Sequence, residues 1–254
     1  MFDDQSPLER LTRYEAKYGT HLPELLASQE LQRVIEDGFC IIPDFWSSRK
    51  CQQAVQEIEK LLEREAELGV KVWRDDIGAD IRIMGSNNLS PNLDLINDPK
   101  VQDWMHTLYD VNSLVGFTMS AKIQALKGNK GSGYGWHRDS CIPFQFKAIL
   151  YLSDVSAEEG PFQYIKKSGN RDEMARFCAQ HNIDLDANRL DEYEQYFDMS
   201  KLVELIASAG TLIIVNTRGI HRGKPLTKGT RYALTNYYWP PESKIPAHIK
   251  PYVN

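Results

Sequence analysis

Residues 209–223 read AGTLIIVNTRGIHRG, an apolar, β-branched run that enters a Thr-Arg-Gly turn and delivers His221 at its exit. A run this short, bounded by Gly on both sides and rich in β-branched residues, is a buried strand rather than a helix. Eight residues after this stretch a second strand pattern begins, RYALTNYYW over 231–239, opened by Arg231. Upstream, the same texture recurs at 117–126, 146–153 and 161–166, separated by Gly, Ser, Lys and Asp clusters. These spacings predict an antiparallel β-rich core of jelly-roll type.

Ahead of this core the patterning is helical. Ser6-Pro7 with Glu9 predicts a helix running to Gly19, and a second helix is expected to end at Gly38. FCIIPDFW (39–46) is broken by Pro43 and reads as extended. Ser47 or Ser48 can cap a helix in which Cys51, Ala54, Val55, Ile58, Leu61 and Leu62 recur at helical spacing until Gly69. Asp98-Pro99 starts another helix, expected to reach about Leu114. The chain therefore reads as one α+β domain over 1–254: a helical part at about 1–115, its helices packed on one sheet, and a jelly-roll core at about 116–240. An acidic, helix-prone insert at about 171–208 interrupts that core, either as surface decoration or as a cover over substrate. In the second case its acids Asp191, Glu192 and Glu194 would select a polar or cationic substrate group. The proline-punctuated 240–254 reads as an extended tail.

Bulk properties exclude some classes. A formal charge of −5 argues against a phosphate-neutralising surface, so nucleic acid is not an expected partner. No apolar run approaches the roughly 20 residues that span a bilayer, and MFDDQSPLER lacks the basic-then-apolar pattern of a secretory leader. The expectation is a cytoplasmic protein with reduced thiols at Cys40, Cys51, Cys141 and Cys178. The sequence carries no signal for oligomeric state.

The chemistry concentrates around His137-Arg138-Asp139, which follows the glycine-rich GNKGSGYGW. In an extended segment His137 and Asp139 point to one side. The 6 histidines and 35 acids of the chain give roughly 0.8 such His-x-acid patterns by chance, so the pair alone decides nothing. With His221 it completes a two-histidine, one-carboxylate set that leaves coordination positions open on non-haem iron(II), although zinc accepts the same ligands. Arg231, ten residues beyond His221, places a guanidinium one strand from the metal, suited to bidentate pairing with a carboxylate.

LQRVIEDGFCIIPDFWSSRKCQQAV, SAKIQALKG with GYGWHRDS, AILYLSDVSAEEGPFQYIKKSG, and AGTLIIVNTRGIHRG with RYALTNYYW together resemble the phytanoyl-CoA dioxygenase family over most of the chain. The resemblance implies a double-stranded β-helix (cupin-like) fold, Fe(II) as metal, and 2-oxoglutarate and O2 as cosubstrates. The reaction it implies is substrate hydroxylation with release of succinate and CO2, and the expected substrate is a small or medium-sized soluble metabolite. By position it assigns His137, Asp139 and His221 to the metal and Arg231 to the oxoglutarate, with Met119 and Arg82 lining the oxoglutarate site. The chain departs from the family pattern in lacking a histidine after IKKSG and in carrying Gly223 where a hydroxyl residue is frequent.

Tyr134 and Trp136 flank the proximal motif, while Lys122 with Gln124, and Lys147 with Tyr151, share strand faces whose direction depends on register. All six are candidates for the pocket. The competing reading is a cupin-like zinc enzyme or binding protein without oxoglutarate, which Arg231 disfavours. His21, His106, His181 and His248 have no acid two residues on and read as structural or exposed.

Overall fold

The computed structural model describes residues 27–139, 145–240 and 243–253. Among these, ten strands form two antiparallel sheets. They are β1 (Phe39–Ile42), β2 (Val72–Arg74), β3 (Asp80–Ile83), β4 (Val115–Gln124), β5 (Phe146–Tyr151), β6 (Phe162–Ile165), β7 (Leu202–Leu205), β8 (Leu212–Asn216), β9 (His221–Gly223) and β10 (Thr230–Trp239). The larger sheet has the order β1-β8-β5-β10-β4-β3-β2 and the smaller one β7-β6-β9. The two sheets face each other as a jelly roll whose outer face carries helices.

Side-chain alternation explains both faces of the large sheet. On β10, Leu234 and Tyr238 point outward with Phe146 and Leu150 of β5. They join Leu31, Ile58, Leu61 and Met105 from the helices α1 (Gln29–Glu36), α2 (Ser48–Glu63) and α4 (Pro99–Tyr109) in one core. Ala233 of β10 points inward with Ile149 and Tyr151 of β5. They meet Phe162, Tyr164 and Leu205 of the small sheet in a second core. Register rows cross the large sheet. Arg82 pairs with Ala121, Ala121 with Ala233, and Ala233 with Tyr151; two residues along, Asp80 pairs with Ile123 and Ile123 with Arg231.

Several boundaries differ from the sequence reading. The helix expected over 6–19 lies outside the described residues. The helix expected through Gly69 breaks at Arg64 into α2 and the single turn α3 (Glu65–Leu68), and Gly69 ends it in a left-handed conformation. α4 stops at Tyr109, where Asp110 adopts φ 50° and so turns the chain out of the helix before Leu114. The part read as helical also contributes β1, β2 and β3, the last two unforeseen because they carry charged residues on positions that turn out to be sheet edges or cavity-facing.

The insert read as 171–208 is helical only in α5 (Arg171–His181) and in 3-10 turns at Asp191–Tyr196 and Met199–Lys201. Its last part is β7, because pairing with β6 overrides the helical spacing of Leu202 and Leu205. The tail is not extended throughout: it makes a 3-10 turn at Lys250–Tyr252, and Tyr252 packs on Phe117. Cys40, Cys51 and Cys178 are buried. No helix among the described residues is long and apolar enough to cross a membrane.

Candidate active site

His137 and His221 are held opposite each other by two backbone hydrogen bonds, each N–H donating to the other's carbonyl at 3.0 Å. This isolated antiparallel bridge sets the two imidazoles side by side, ring centroids 4.3 Å apart. Asp139 is fixed two residues on by its own N–H to the Thr217 carbonyl at 3.0 Å. Period-two alternation then works as the sequence suggests: His137 and Asp139 face the barrel interior, whereas Trp136 and Arg138 are buried on the opposite side. One ligand atom from each of His137, Asp139 and His221 lies within 4.8 Å of the others.

Each imidazole donates from Nδ1 to the carbonyl two residues behind it, His137 to Gly135 and His221 to Gly219, both at 2.8 Å. A carbonyl can only accept, so the hydrogen sits on Nδ1 and the Nε2 lone pair is turned to the carboxylate. His137 Nε2 lies 3.8 Å from Asp139 Oδ1, and His221 Nε2 3.5 Å from Oδ2. Burial, followed by the neighbouring His221, pushes the His137 pKa down to about 3, so this ring is neutral at physiological pH. Burial alone would raise the Asp139 pKa, but the Lys147 ammonium holds it well below the usual carboxylate range. Lone pairs on two rings and a charged carboxylate converging on one point fit a divalent cation. Gly133 permits the approach: at φ 86° it takes a left-handed conformation, and a β-carbon there would overlap the His137 ring.

The triad opens into a cavity of about 320 Å³ between the sheets. Of the remaining sequence candidates, Arg231, Met119, Arg82, Tyr134, Lys147 and Tyr151 line it. Lys122, Gln124 and Trp136 do not. Lys122 lies on the helix-facing side of β4, where its ammonium pairs with Glu59 of α2 at 2.8 Å, and Gln124 shares that side. Trp136 is wholly buried behind the metal strand, edge-to-face with Phe197.

Arg231 is buried, and its Nη1 has no hydrogen-bond partner among the described residues. Arg82, by contrast, is engaged by Asp80 through two bonds of 2.9 and 2.6 Å; burial alone would lower its pKa, and Asp80 raises it. Gly223 now has a reason. A β-carbon there would come within 2.7 Å of the Ser132 Cβ and 3.0 Å of Arg231, so glycine leaves room for the guanidinium. Lys147 Nζ lies 2.7 Å from Asp139 Oδ2 and 4.1 Å from the Tyr237 ring centroid. Its pKa, which burial lowers, is raised by these partners. The Tyr151 hydroxyl accepts the Phe162 N–H at 2.9 Å, leaving its own hydrogen to donate.

Trp73, Tyr237 and Arg189 also line the cavity and were not anticipated. Tyr237 was legible in principle, sharing the face of Arg231 at i+6 on β10. Trp73 and Arg189 depend on tertiary pairing. Residues 188–190 lie antiparallel to 136–138, with Arg138 N–H to the Asn188 carbonyl at 2.8 Å and Leu190 N–H to the Trp136 carbonyl at 2.9 Å. Arg138 further holds the carbonyls of Leu185 and Ala187, and Asp191 Oδ1 accepts the Trp136 N–H at 2.6 Å. The expected role of the insert acids is thereby corrected. Asp191 is spent on the backbone, Glu194 pairs with Arg222, and none of Asp191, Glu192 and Glu194 lines the cavity, which receives the cation Arg189 instead.

The family model described as phytanoyl-CoA dioxygenase (PhyH) matches residues 34–233. No curated protein matches the chain. Among solved structures, the chain resembles the non-heme alpha-ketoglutarate-dependent epimerase SnoN from nogalamycin biosynthesis, with 18% identity and a TM-score of 0.59 over 87% of this chain and 83% of that one. HygX from Streptomyces hygroscopicus, with nickel, 2-oxoglutarate and hygromycin B bound, is similar at 17% identity and a TM-score of 0.59, covering 84% and 87%. The non-heme alpha-ketoglutarate-dependent carbocyclase SnoK from nogalamycin biosynthesis is similar at 17% identity and a TM-score of 0.60, covering 83% of each chain. At these identities the likeness shows the fold.

Proposed function

The chain belongs to the phytanoyl-CoA dioxygenase family, and from that premise we propose that it is an iron(II)- and 2-oxoglutarate-dependent dioxygenase that hydroxylates a small soluble molecule. The observation that carries this reading is Arg231, a buried guanidinium with a partnerless Nη1 in the same cavity as the His137, Asp139 and His221 triad. A buried charge left unpaired is costly, and a ligand carboxylate is the partner that its fork geometry suits. Zinc hydrolysis by itself does not require such a group.

His137, Asp139 and His221 would hold ferrous iron, which when bound would supply the oxidising chemistry that couples loss of CO2 from a 2-oxo acid to substrate oxidation by dioxygen. The chain's own residues prepare the ground. His137 and His221 present Nε2, oriented by the Gly135 and Gly219 carbonyls, and Lys147 keeps Asp139 charged and aimed. Arg231 would take the distal carboxylate of oxoglutarate, with the Tyr151 hydroxyl as a further donor, and Met119 and Ile123 would supply apolar wall to its methylenes. Asp139 occupies the position that would have to be a small residue for a halide to bind the metal, so hydroxylation is favoured over halogenation. Neighbours of this fold include an epimerase and a carbocyclase, so the product is the test of the reaction type.

Anaerobic Fe(II) with oxoglutarate is expected to give a visible metal-to-ligand charge-transfer band. Arg231→Ala is expected to raise the oxoglutarate concentration needed for that band by about ten- to a thousandfold, from about 1.5–3 kcal/mol per charge-assisted hydrogen bond lost. Iron affinity should hardly change, and Arg231→Lys should recover part of the loss. An unchanged oxoglutarate requirement in Arg231→Ala would move the anchor to Arg82 or Lys147. With substrate in hand, isotopically labelled dioxygen entering the product establishes hydroxylation; desaturation or epimerisation would leave the product unlabelled.

A further inference from the structure

We propose that the substrate of this site is an organic anion, a carboxylate or phosphate on a flat apolar body, and that Arg189 binds the anionic group while Trp73 and Tyr134 hold the body. The inference rests on reading the cavity as an iron and oxoglutarate site.

The first argument is charge. Around the cavity Asp139 is set against Lys147 and Asp80 against Arg82. With one carboxylate of oxoglutarate on Arg231 and the other on the ion, Arg189 is the lining cation that neither a lining carboxylate nor the cosubstrate offsets. Asp75 and Asp76 act on Tyr134 at the other end of the rim, so the Arg189 end is the one that attracts an anion.

The second argument is position. The Arg189 side chain reaches the cavity from the insert, and its Nη1 donates to the Gly133 carbonyl. Gly133 lies against the His137 ring. This puts a guanidinium at the rim next to a metal ligand, not at the closed end with Arg231. No carboxylate among the described residues pairs with it, and a single carbonyl leaves most of its donors for a ligand.

The third argument is the rim that continues from Gly133. Tyr134, held at φ 60°, turns its ring to Trp73, the centroids 6.0 Å apart at 77°. Trp73 stands on the edge strand β2, 40% exposed, with Arg82 5.0 Å from its ring centroid. An indole that lines a functional cavity and remains this exposed offers area for a planar or apolar group. Trp73, Tyr134, Gly133 and Arg189 thus form one contiguous rim, apolar at one end and cationic at the other.

Titration calorimetry on the full chain, loaded anaerobically with Fe(II) and oxoglutarate, tests this with phenylacetate, phenylphosphonate and the uncharged phenylacetamide. The two anions are expected to bind about tenfold or more tightly than the amide, the size of one charge-assisted contact. Arg189→Gln should abolish that preference with oxoglutarate affinity held within about twofold, and Trp73→Ala should weaken all three ring probes relative to acetate. Because Arg189 also braces Gly133, Arg189→Glu supplies a check independent of lost bracing: it should turn the preference to phenethylammonium. Equal binding of anions and amide by the wild type, or no binding of either anion at millimolar concentration, overturns the proposal. So does a loss of oxoglutarate affinity in Arg189→Gln as large as that in Arg231→Ala, which would place Arg189 in the cosubstrate site. Failure of the underlying reading looks different: the wild type then binds no oxoglutarate, whatever the probes do.

Discussion

The barrel wall that carries the metal ligands and the insert behind it meet along a single segment, residues 136–139, and are held by different means. On the wall side, period-two alternation aims His137 and Asp139 together, reciprocal backbone bonds tie His137 to His221 at the start of β9, and the Asp139 N–H is held by the Thr217 carbonyl. On the insert side residues 188–190 make one such backbone bridge to 136–138, and the rest of the attachment is made by side chains. The segment is grafted on by Arg138 to the Leu185 and Ala187 carbonyls, by Asp191 to a backbone N–H, and by a small core in which Trp136 meets Met174, Cys178, Ile183, Leu190 and Phe197. One short strand therefore serves two bodies, its odd residues the chemistry and its even residues the attachment. Loss of the even residues should loosen the insert without dismantling the metal site, and loss of the odd ones should do the reverse.

The largest expected effect lies on the odd side. His137→Ala or Asp139→Ala should abolish the Fe(II)–oxoglutarate band outright, because removal of one of three protein ligands leaves too few to hold the ion. The fold should persist, since both residues face the cavity rather than the core. Far-ultraviolet circular dichroism beside the visible titration separates the two properties. A band retained in Asp139→Ala would mean that the metal is held elsewhere.

Next in size is Trp136→Ala. Its ring is fully buried, edge-to-face with Phe197 at 5.5 Å and with the Arg222 guanidinium 4.2 Å from its centroid. Truncating such a side chain costs about 3–5 kcal/mol. Hydrogen exchange should show α5 and residues 183–201 losing protection first, with the Fe(II)–oxoglutarate band intact at low temperature. Unaltered protection of α5 would show that the insert is held by the backbone grafts alone. For the same reason, excising the insert is a poor test of a covering role: it would expose Trp136 and Arg138 and remove β7 as well.

The difference in construction also explains what could be read from the sequence. β4, β5, β8 and β10 are long enough for their apolar, β-branched and aromatic texture to show, and Arg231 follows His221 at a spacing that the strands make meaningful. β9, three residues long, carries no period of its own. β2 and β3 were hidden by Trp73, Arg74, Asp80 and Arg82, polar or exposed residues that suggest a loop when the cavity they serve is unknown. Arg189 was beyond reach, because nothing local to residues 182–190 says that they will lie against 136–138. The acids around it invited the opposite charge for the substrate.

The smallest effect concerns register, where Lys122 and Gln124 were candidates for the pocket and the structure turns their side of β4 to the helices. Lys122 Nζ and the Tyr232 hydroxyl both donate to the Glu59 carboxylate of α2. Partial burial opposes the shift, but these two donors hold the Glu59 pKa below its ordinary value of 4.5. With a depressed folded pKa, the unfolded chain binds more protons on acidification. The contribution to stability is therefore present above pH 4.5 and is lost as pH falls through the folded value. Since the carboxylate is about one-third exposed, Glu59→Gln should cost only about 1 kcal/mol at neutral pH, and the difference from wild type should close below the carboxylate range. Lys122→Met should cost a similar amount and leave the oxoglutarate requirement unchanged, in contrast to Arg231→Ala on the other face of the same sheet. Weakened oxoglutarate binding in Lys122→Met would reverse the assignment of β4's faces. Denaturant unfolding at two pH values and the visible titration decide it together.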